Sequence, residues 1–126
     1  MALKKNKKVL IVEDDEMLAG MYAEKFTMSG YNAQVAHDGS EGLKQVESFM
    51  PDIVLLDIIM PKVDGFVVLK RIKSNDALSK IPVIMLTNLG QEDDINKAKK
   101  LGATDYFVKA NHTPAEIIKK VEGILQ

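Results

Sequence analysis

Five short apolar runs punctuate the chain, at residues 9–12, 33–36, 53–56, 83–86 and 106–108. Four of them are nearly continuous in apolar, largely β-branched residues, the pattern of strands covered on both faces. Between the runs the apolar positions change to a helical period. Leu18, Met21, Tyr22 and Phe26 share one face; Leu43, Val46 and Met50 share a second; Phe66, Leu69 and Ile72 a third. Ile95, Ala98 and Leu101 form a fourth stripe, with Gly102 placed to cap that helix. Ile117, Val121 and Ile124 form the last. It is opened by Thr113-Pro114-Ala115-Glu116, a capping-box pattern with proline at the first helical position. Core packing accounts for these stripes, the methionines included.

The elements therefore alternate strand and helix five times. Each connection between strands is long enough for a helical crossover, which predicts an α/β, doubly wound parallel sheet with helices on both faces. Such sheets bind ligands outside the carboxyl ends of their strands, where strand order reverses. The 126 residues fit one domain, residues 1–126, with no effector domain expected after the last helix.

Composition removes several chemistries. With no cysteine and only His37 and His112, disulfides, thiolate metal sites, cysteine nucleophiles and histidine-rich zinc sites are excluded. Seventeen basic and eighteen acidic residues leave a net charge of -1, which gives no footprint for direct nucleic-acid binding. The one basic run, Lys4, Lys5, Lys7 and Lys8, reads as a solvated start to the fold. No apolar stretch has the length of a signal peptide or a membrane span. The expectation is a soluble, cytoplasmic protein with no membrane partner.

The strand ends carry the candidate chemistry. Glu13-Asp14-Asp15-Glu16 follow the first strand, Asp57 ends the third, Thr87-Asn88 end the fourth and Lys109 ends the fifth. Asp15 and Glu16 are expected in the first helical turn, where acids meet the helix dipole favourably. Glu13 and Asp14 stand nearer the strand end, and an acid closing an apolar central strand, as Asp57 does, is costly without a partner. Clustered carboxylates repel, and a hard divalent cation relieves them. Oxygen donors without thiolates or paired histidines point to Mg²⁺, with Mn²⁺ possible. A carboxylate beside such an ion can accept a phosphoryl group. A lysine would neutralise the transferred charge, and a hydroxyl would donate to a phosphoryl oxygen.

Taken together, Val9-Leu10-Ile11-Val12-Glu13-Asp14-Asp15, Leu55-Leu56-Asp57-Ile58-Ile59-Met60-Pro61 with Asp64-Gly65, Leu86-Thr87 and Tyr106-Phe107-Val108-Lys109 resemble a two-component response-regulator receiver domain of the single-domain, chemotaxis-regulator-like kind. The likeness covers residues 8–125. It implies a flavodoxin-like (β/α)5 fold with strand order 2-1-3-4-5, acting as a signalling switch rather than an enzyme. It makes Asp57 the phospho-acceptor. Asp14, Asp57 and the backbone carbonyl of Ile59 would ligate Mg²⁺ directly, and Glu13 through water. Thr87 becomes the switch hydroxyl, Lys109 the phosphate-pairing cation, and Tyr106 the aromatic that turns inward when Thr87 moves.

The implied partners are a sensor histidine kinase or histidine phosphotransfer protein, and a downstream protein. The latter would read the face of the fourth helix, fifth strand and fifth helix, residues 91–102 and 105–125. Three positions depart from the family pattern: Ala110 stands where a cis proline is common, Asn88 where a small residue is usual, and the acid pair is Glu-Asp. The family also places the side chains at Ile59 and Leu89 beside the approach of hydrolytic water. Both are apolar here, which predicts a slowly hydrolysing phospho-form. Two other classes compete: a haloacid-dehalogenase-type Mg²⁺ phosphohydrolase, which needs an acid where Ile59 stands, and a pseudo-receiver that is never phosphorylated.

Overall fold

A computed structural model describes residues 7–126; Lys4 and Lys5 of the basic run lie outside them. The elements are β1 (Lys8–Val12), α1 (Glu16–Met28), β2 (Asn32–Ala36), α2 (Gly39–Phe49), β3 (Ile53–Leu56), α3 (Gly65–Ser74), β4 (Val83–Thr87), α4 (Glu92–Lys100), β5 (Asp105–Val108) and α5 (Pro114–Leu125). A 3-10 turn, Lys109–Asn111, follows β5. The strands form one parallel sheet in the order β2-β1-β3-β4-β5, as expected.

Alternation of side chains across the sheet explains why the central strands read as continuous apolar runs. Leu10, Val12, Val54, Leu56, Val83 and Met85 pack on one face with Val46 of α2, Val68, Leu69 and Ile72 of α3, and Ala98 of α4. Val9, Ile11, Ile53, Leu55, Ile84 and Leu86 pack on the other with Tyr22 and Phe26 of α1 and Ile117 and Val121 of α5. The edge strand β2 is only partly buried before Ala36, which matches its mixed sequence. No helix among the described residues is long and apolar enough to cross a membrane.

Register places the site. Val12 pairs with Leu56, and Leu56 with Met85, so β1, β3 and β4 end nearly level. The Asp57 N–H donates to the Val12 carbonyl at 3.0 Å, extending the ladder one residue beyond β3. Side chains cap four of the five α-helices that leave this rim, α4 being the exception. Asp15, Asp38 and Asp64 accept from the N–H groups of Leu18, Glu41 and Val67. Thr113 and Glu116 complete the expected capping box at α5.

Two stripe positions differ from expectation. Met21 is 37% exposed, and Ala19 joins Tyr22 and Phe26 as the buried residues of α1. Met50 is the C-cap of α2, left-handed at φ 50° and 47% exposed. A flexible thioether fits a helical stripe on paper without having to be buried in it. Asp15 is likewise the N-cap of α1, one residue ahead of the first turn. Leu101 caps α4, and Gly102 follows in the left-handed region at φ 100°.

Candidate functional site at the carboxyl ends of the strands

Among the described residues the buried polar side chains are Glu13, Asp57 and Thr87, and all three stand at this rim. An open cavity of about 350 Å³ is lined there by Glu13, Asp14, Asp15, Asp57, Ile59, Thr87, Asn88 and Lys109. Burying ionisable groups is unfavourable unless something satisfies them. Lys109 does part of this. Its ammonium donates to Asp57 Oδ2 at 2.9 Å and to Glu13 Oε1 in a shorter contact. Backbone N–H groups supply the rest: Ile58 donates to Asp57 Oδ1 at 2.7 Å and Asp15 to Glu13 Oε2 at 3.1 Å.

One cation facing two buried carboxylates leaves the pocket short of positive charge. Burial pushes the Glu13 carboxyl above the ordinary carboxylate range, and the Asp57 charge adds to this; the Lys109 hydrogen bond opposes it without prevailing. For Lys109 burial disfavours the ammonium, yet the hydrogen bonds to Glu13 and Asp57 outweigh it and hold its pKa above the usual lysine value. Asp14 is exposed at the mouth. One oxygen each from Glu13, Asp14 and Asp57 lies within 4.8 Å of the others, a cluster able to hold a metal ion. An all-oxygen donor set of this kind suits a hard divalent cation and not zinc.

Lys109 reaches both acids without a proline after it; the described backbone contains no cis peptide bond. Thr87 is buried at the end of β4, and its Oγ1 accepts from the Leu89 N–H at 3.4 Å. Tyr106 stands apart from the acids. It is half-buried on β5, where burial pushes its phenol up to about 12, and its hydroxyl donates to the Leu89 carbonyl at 2.5 Å. The backbone N–H and C=O of Leu89, which belong to successive peptide units, thus hold Thr87 and Tyr106. Sequence spacing gave no sign of this link, because it runs through backbone atoms.

Leu89 itself departs from expectation. Its side chain is partly buried against the α2–α3–α4 core, leaving Ile59, 64% exposed, as the apolar side chain lining the cavity. Asn88 lies beside Thr87 in the cavity wall.

Comparison with known proteins agrees with this arrangement. A family model described as "Response regulator receiver domain" matches residues 9–122. The alkaline phosphatase synthesis transcriptional regulatory protein PhoP of Bacillus subtilis is 36% identical over 121 residues, 96% of this chain and 49% of that protein. The transcriptional regulatory protein CpxR of Escherichia coli is 37% identical over 119 residues, 94% of this chain and 49% of that protein. The chain thus spans about half the length of these curated relatives. Among solved structures, the receiver domain of Francisella response regulator 1452 superposes with a TM-score of 0.86 at 31% identity, covering 95% of this chain and 97% of that one. The Vibrio cholerae chemotaxis protein CheY4 superposes at 0.87 with 27% identity, covering 94% and 98%.

Proposed function

The chain belongs to the response-regulator receiver family of two-component systems, and from that premise we propose that it is a phospho-accepting switch whose acceptor is Asp57. The observation that carries this reading is the contact of the Lys109 ammonium with Asp57 Oδ2 inside a cavity that also holds Asp14 and Glu13. Asp14, Asp57 and the Ile59 carbonyl would hold Mg²⁺ or Mn²⁺, with Glu13 acting through water. Bound there, the ion would neutralise the crowded carboxylates and draw charge from the phosphoryl oxygens.

The donor is a histidine kinase or a histidine phosphotransfer protein. An Asp57 carboxylate oxygen bonds to phosphorus as the donor's phosphorus–nitrogen bond breaks. The electron pair returns to the imidazole, which takes up a proton. Lys109 already neutralises charge at Asp57 and would stay with it as phosphoryl oxygens replace the bare carboxylate. Thr87 gives up the Leu89 N–H and donates to a phosphoryl oxygen. A hydrogen bond to a charged group contributes about 1.5–3 kcal/mol, enough to move a balanced two-state equilibrium by roughly tenfold to a hundredfold.

Because the Leu89 carbonyl holds Tyr106, movement of Thr87 is transmitted to β5. Output is then read by a protein partner at the α4–β5–α5 face, without direct nucleic-acid contact by this domain. A cytoplasmic location goes with this reading. The phosphohydrolase alternative lacks its second acid, since exposed Ile59 stands two residues after Asp57.

Intact mass after acetyl phosphate tests the proposal. The expected result is one added phosphoryl group in the presence of Mg²⁺, none with chelator and none on Asp57→Asn. Equal incorporation into Asp57→Asn removes Asp57 as acceptor. No incorporation under any condition favours the pseudo-receiver.

A further inference from the structure

Two glycines pin the loop between β3 and α3 from opposite ends. Gly65, the first residue of α3, lies so close to the loop's start that a Cβ there would stand 2.1 Å from the Asp57 carbonyl oxygen and 2.7 Å from the Ile58 Cα. Its N–H donates to the Ile58 carbonyl at 2.8 Å. Gly39, the first residue of α2, meets the far end. A Cβ on Gly39 would stand 2.1 Å from the Val63 carbonyl oxygen and 2.8 Å from the Val63 Cβ. The positive-φ glycines of the described chain are Gly30 and Gly102, so Gly39 is needed for close approach and not for its φ.

Between the pins, Lys62 adopts φ 70°, a region that residues with side chains rarely occupy. Such a conformation persists where its surroundings over-determine it. Here the surroundings include an ion pair: Lys62 Nζ lies 3.6 Å from Oδ2 of Asp38, the N-cap of α2. Ile58 and Met60 are buried on either side of exposed Ile59, so the loop is anchored in the core on both sides of the residue that lines the acid cavity.

We infer that the start of α2 positions the acid pocket: the Gly39–Val63 contact, with the Asp38–Lys62 pair, sets where the β3–α3 loop lies and thereby how well the pocket holds a divalent cation. This rests on reading the pocket as a cation site. Asp38, Gly39, Lys62 and Val63 are absent from the cavity lining, so they act through the loop and are positioning residues. A Cβ at Gly39 must force the start of α2 and the Val63 carbonyl apart, because no real Cβ sits 2.1 Å from an oxygen. Val63 is four residues from Ile59, and its N–H is tied to the Pro61 carbonyl at 2.9 Å, so the displacement passes along a short, closed turn.

Mn²⁺ titration of the unphosphorylated 126-residue chain, read by solvent-proton relaxation, tests this. Gly39→Ala is expected to raise the Kd about tenfold, the scale on which residues that orient metal ligands act. Gly20→Ala, where a Cβ meets nothing within 4 Å, is expected to leave it unchanged. If Gly39→Ala does not fold, Lys62→Pro puts the same question at an exposed position, since proline cannot adopt φ 70°; the same weakening is expected. A purely structural role would lower the melting temperature while leaving the Kd of the folded protein untouched, and that result overturns the inference. A parent chain whose relaxation signal is insensitive to Asp57→Asn and Asp14→Asn overturns the cation reading itself, whatever Gly39→Ala does.

Discussion

The carboxyl rim of the sheet uses acidic residues in two ways. At the helix starts, Asp15, Asp38 and Asp64 each accept a backbone N–H that would otherwise lack a partner, and they remain near solvent. At two helix starts the folded chain favours the charge: the N–H of Glu41 holds Asp38 below the usual carboxylate range, and the N–H of Thr113 does the same for Glu116. Inside the cavity, Glu13 and Asp57 are buried with one ammonium between them, and burial pushes Glu13 the opposite way. Cap acids serve the fold. Site acids are tolerated by the fold, and the charge they lack is what a cation and a phosphoryl group would bring.

Removing Lys109 is the strongest way to break this contrast. Lys109→Met leaves two buried carboxylates uncompensated and should cost about 3 kcal/mol in urea unfolding at pH 7 with chelator present. Its pH dependence has a definite sign. A carboxyl whose folded pKa is raised binds its proton more readily folded than unfolded, so its contribution is fully present below the unfolded value and declines as pH rises through the folded one. The deficit of Lys109→Met should therefore shrink as pH falls from neutrality to the ordinary carboxylate range. A deficit that stays constant over that range would mean that Glu13 is not the group left unpaired.

Ile59→Asn should produce the next largest effect. Ile59 is the exposed apolar side chain on the cavity, so an amide there can orient water toward phosphorus and speed loss of the phosphoryl group about tenfold, equivalent to about 1.4 kcal/mol. Leu89→Glu should instead lower stability, because that side chain packs on the core. Decay followed by intact mass at fixed Mg²⁺ separates them; equal acceleration by both variants would restore Leu89 to the cavity wall.

A smaller effect sharpens the other side of the comparison. Thr113→Ala removes the capping box of α5 and should cost about 1 kcal/mol without changing metal binding. Glu116 and Asp38 have lowered pKa values, so their contribution is present above the ordinary carboxylate value and is lost as pH falls through the lowered one. Acid melts should show this loss in the parent. In Glu116→Gln, whose capping side chain no longer ionises, the share due to Glu116 should be missing.

Much of this was legible beforehand because the two signals involved are local. Short continuous apolar runs and stripes near period 3.6 located all ten strands and α-helices, and the order of acids, hydroxyl and lysine at the strand ends located the pocket. Met21 and Met50 misled because helical spacing says which face a residue shares, not whether the sheet reaches that far. Leu89 misled for a related reason: spacing from Thr87 gives proximity, while the direction of the side chain depends on the core it packs against, which is assembled from residues far away in the chain. The link between Thr87 and Tyr106 through the Leu89 N–H and C=O and the Gly39 contact with Val63 involve backbone atoms brought together by topology. No residue type in the sequence marks them.

The contrast between the two sets of acids is tested most directly by melting the parent, Asp57→Asn and Asp64→Asn over a series of Mg²⁺ concentrations. An ion that binds only the folded chain raises stability by RT ln(1 + [L]/Kd), about 2.7 kcal/mol at one hundred times Kd. The account expects the melting temperature of the parent and of Asp64→Asn to climb with Mg²⁺, and that of Asp57→Asn to stay nearly flat. Equal climbs for Asp57→Asn and Asp64→Asn would contradict it, since the buried acids would then be no more a cation site than the caps around them.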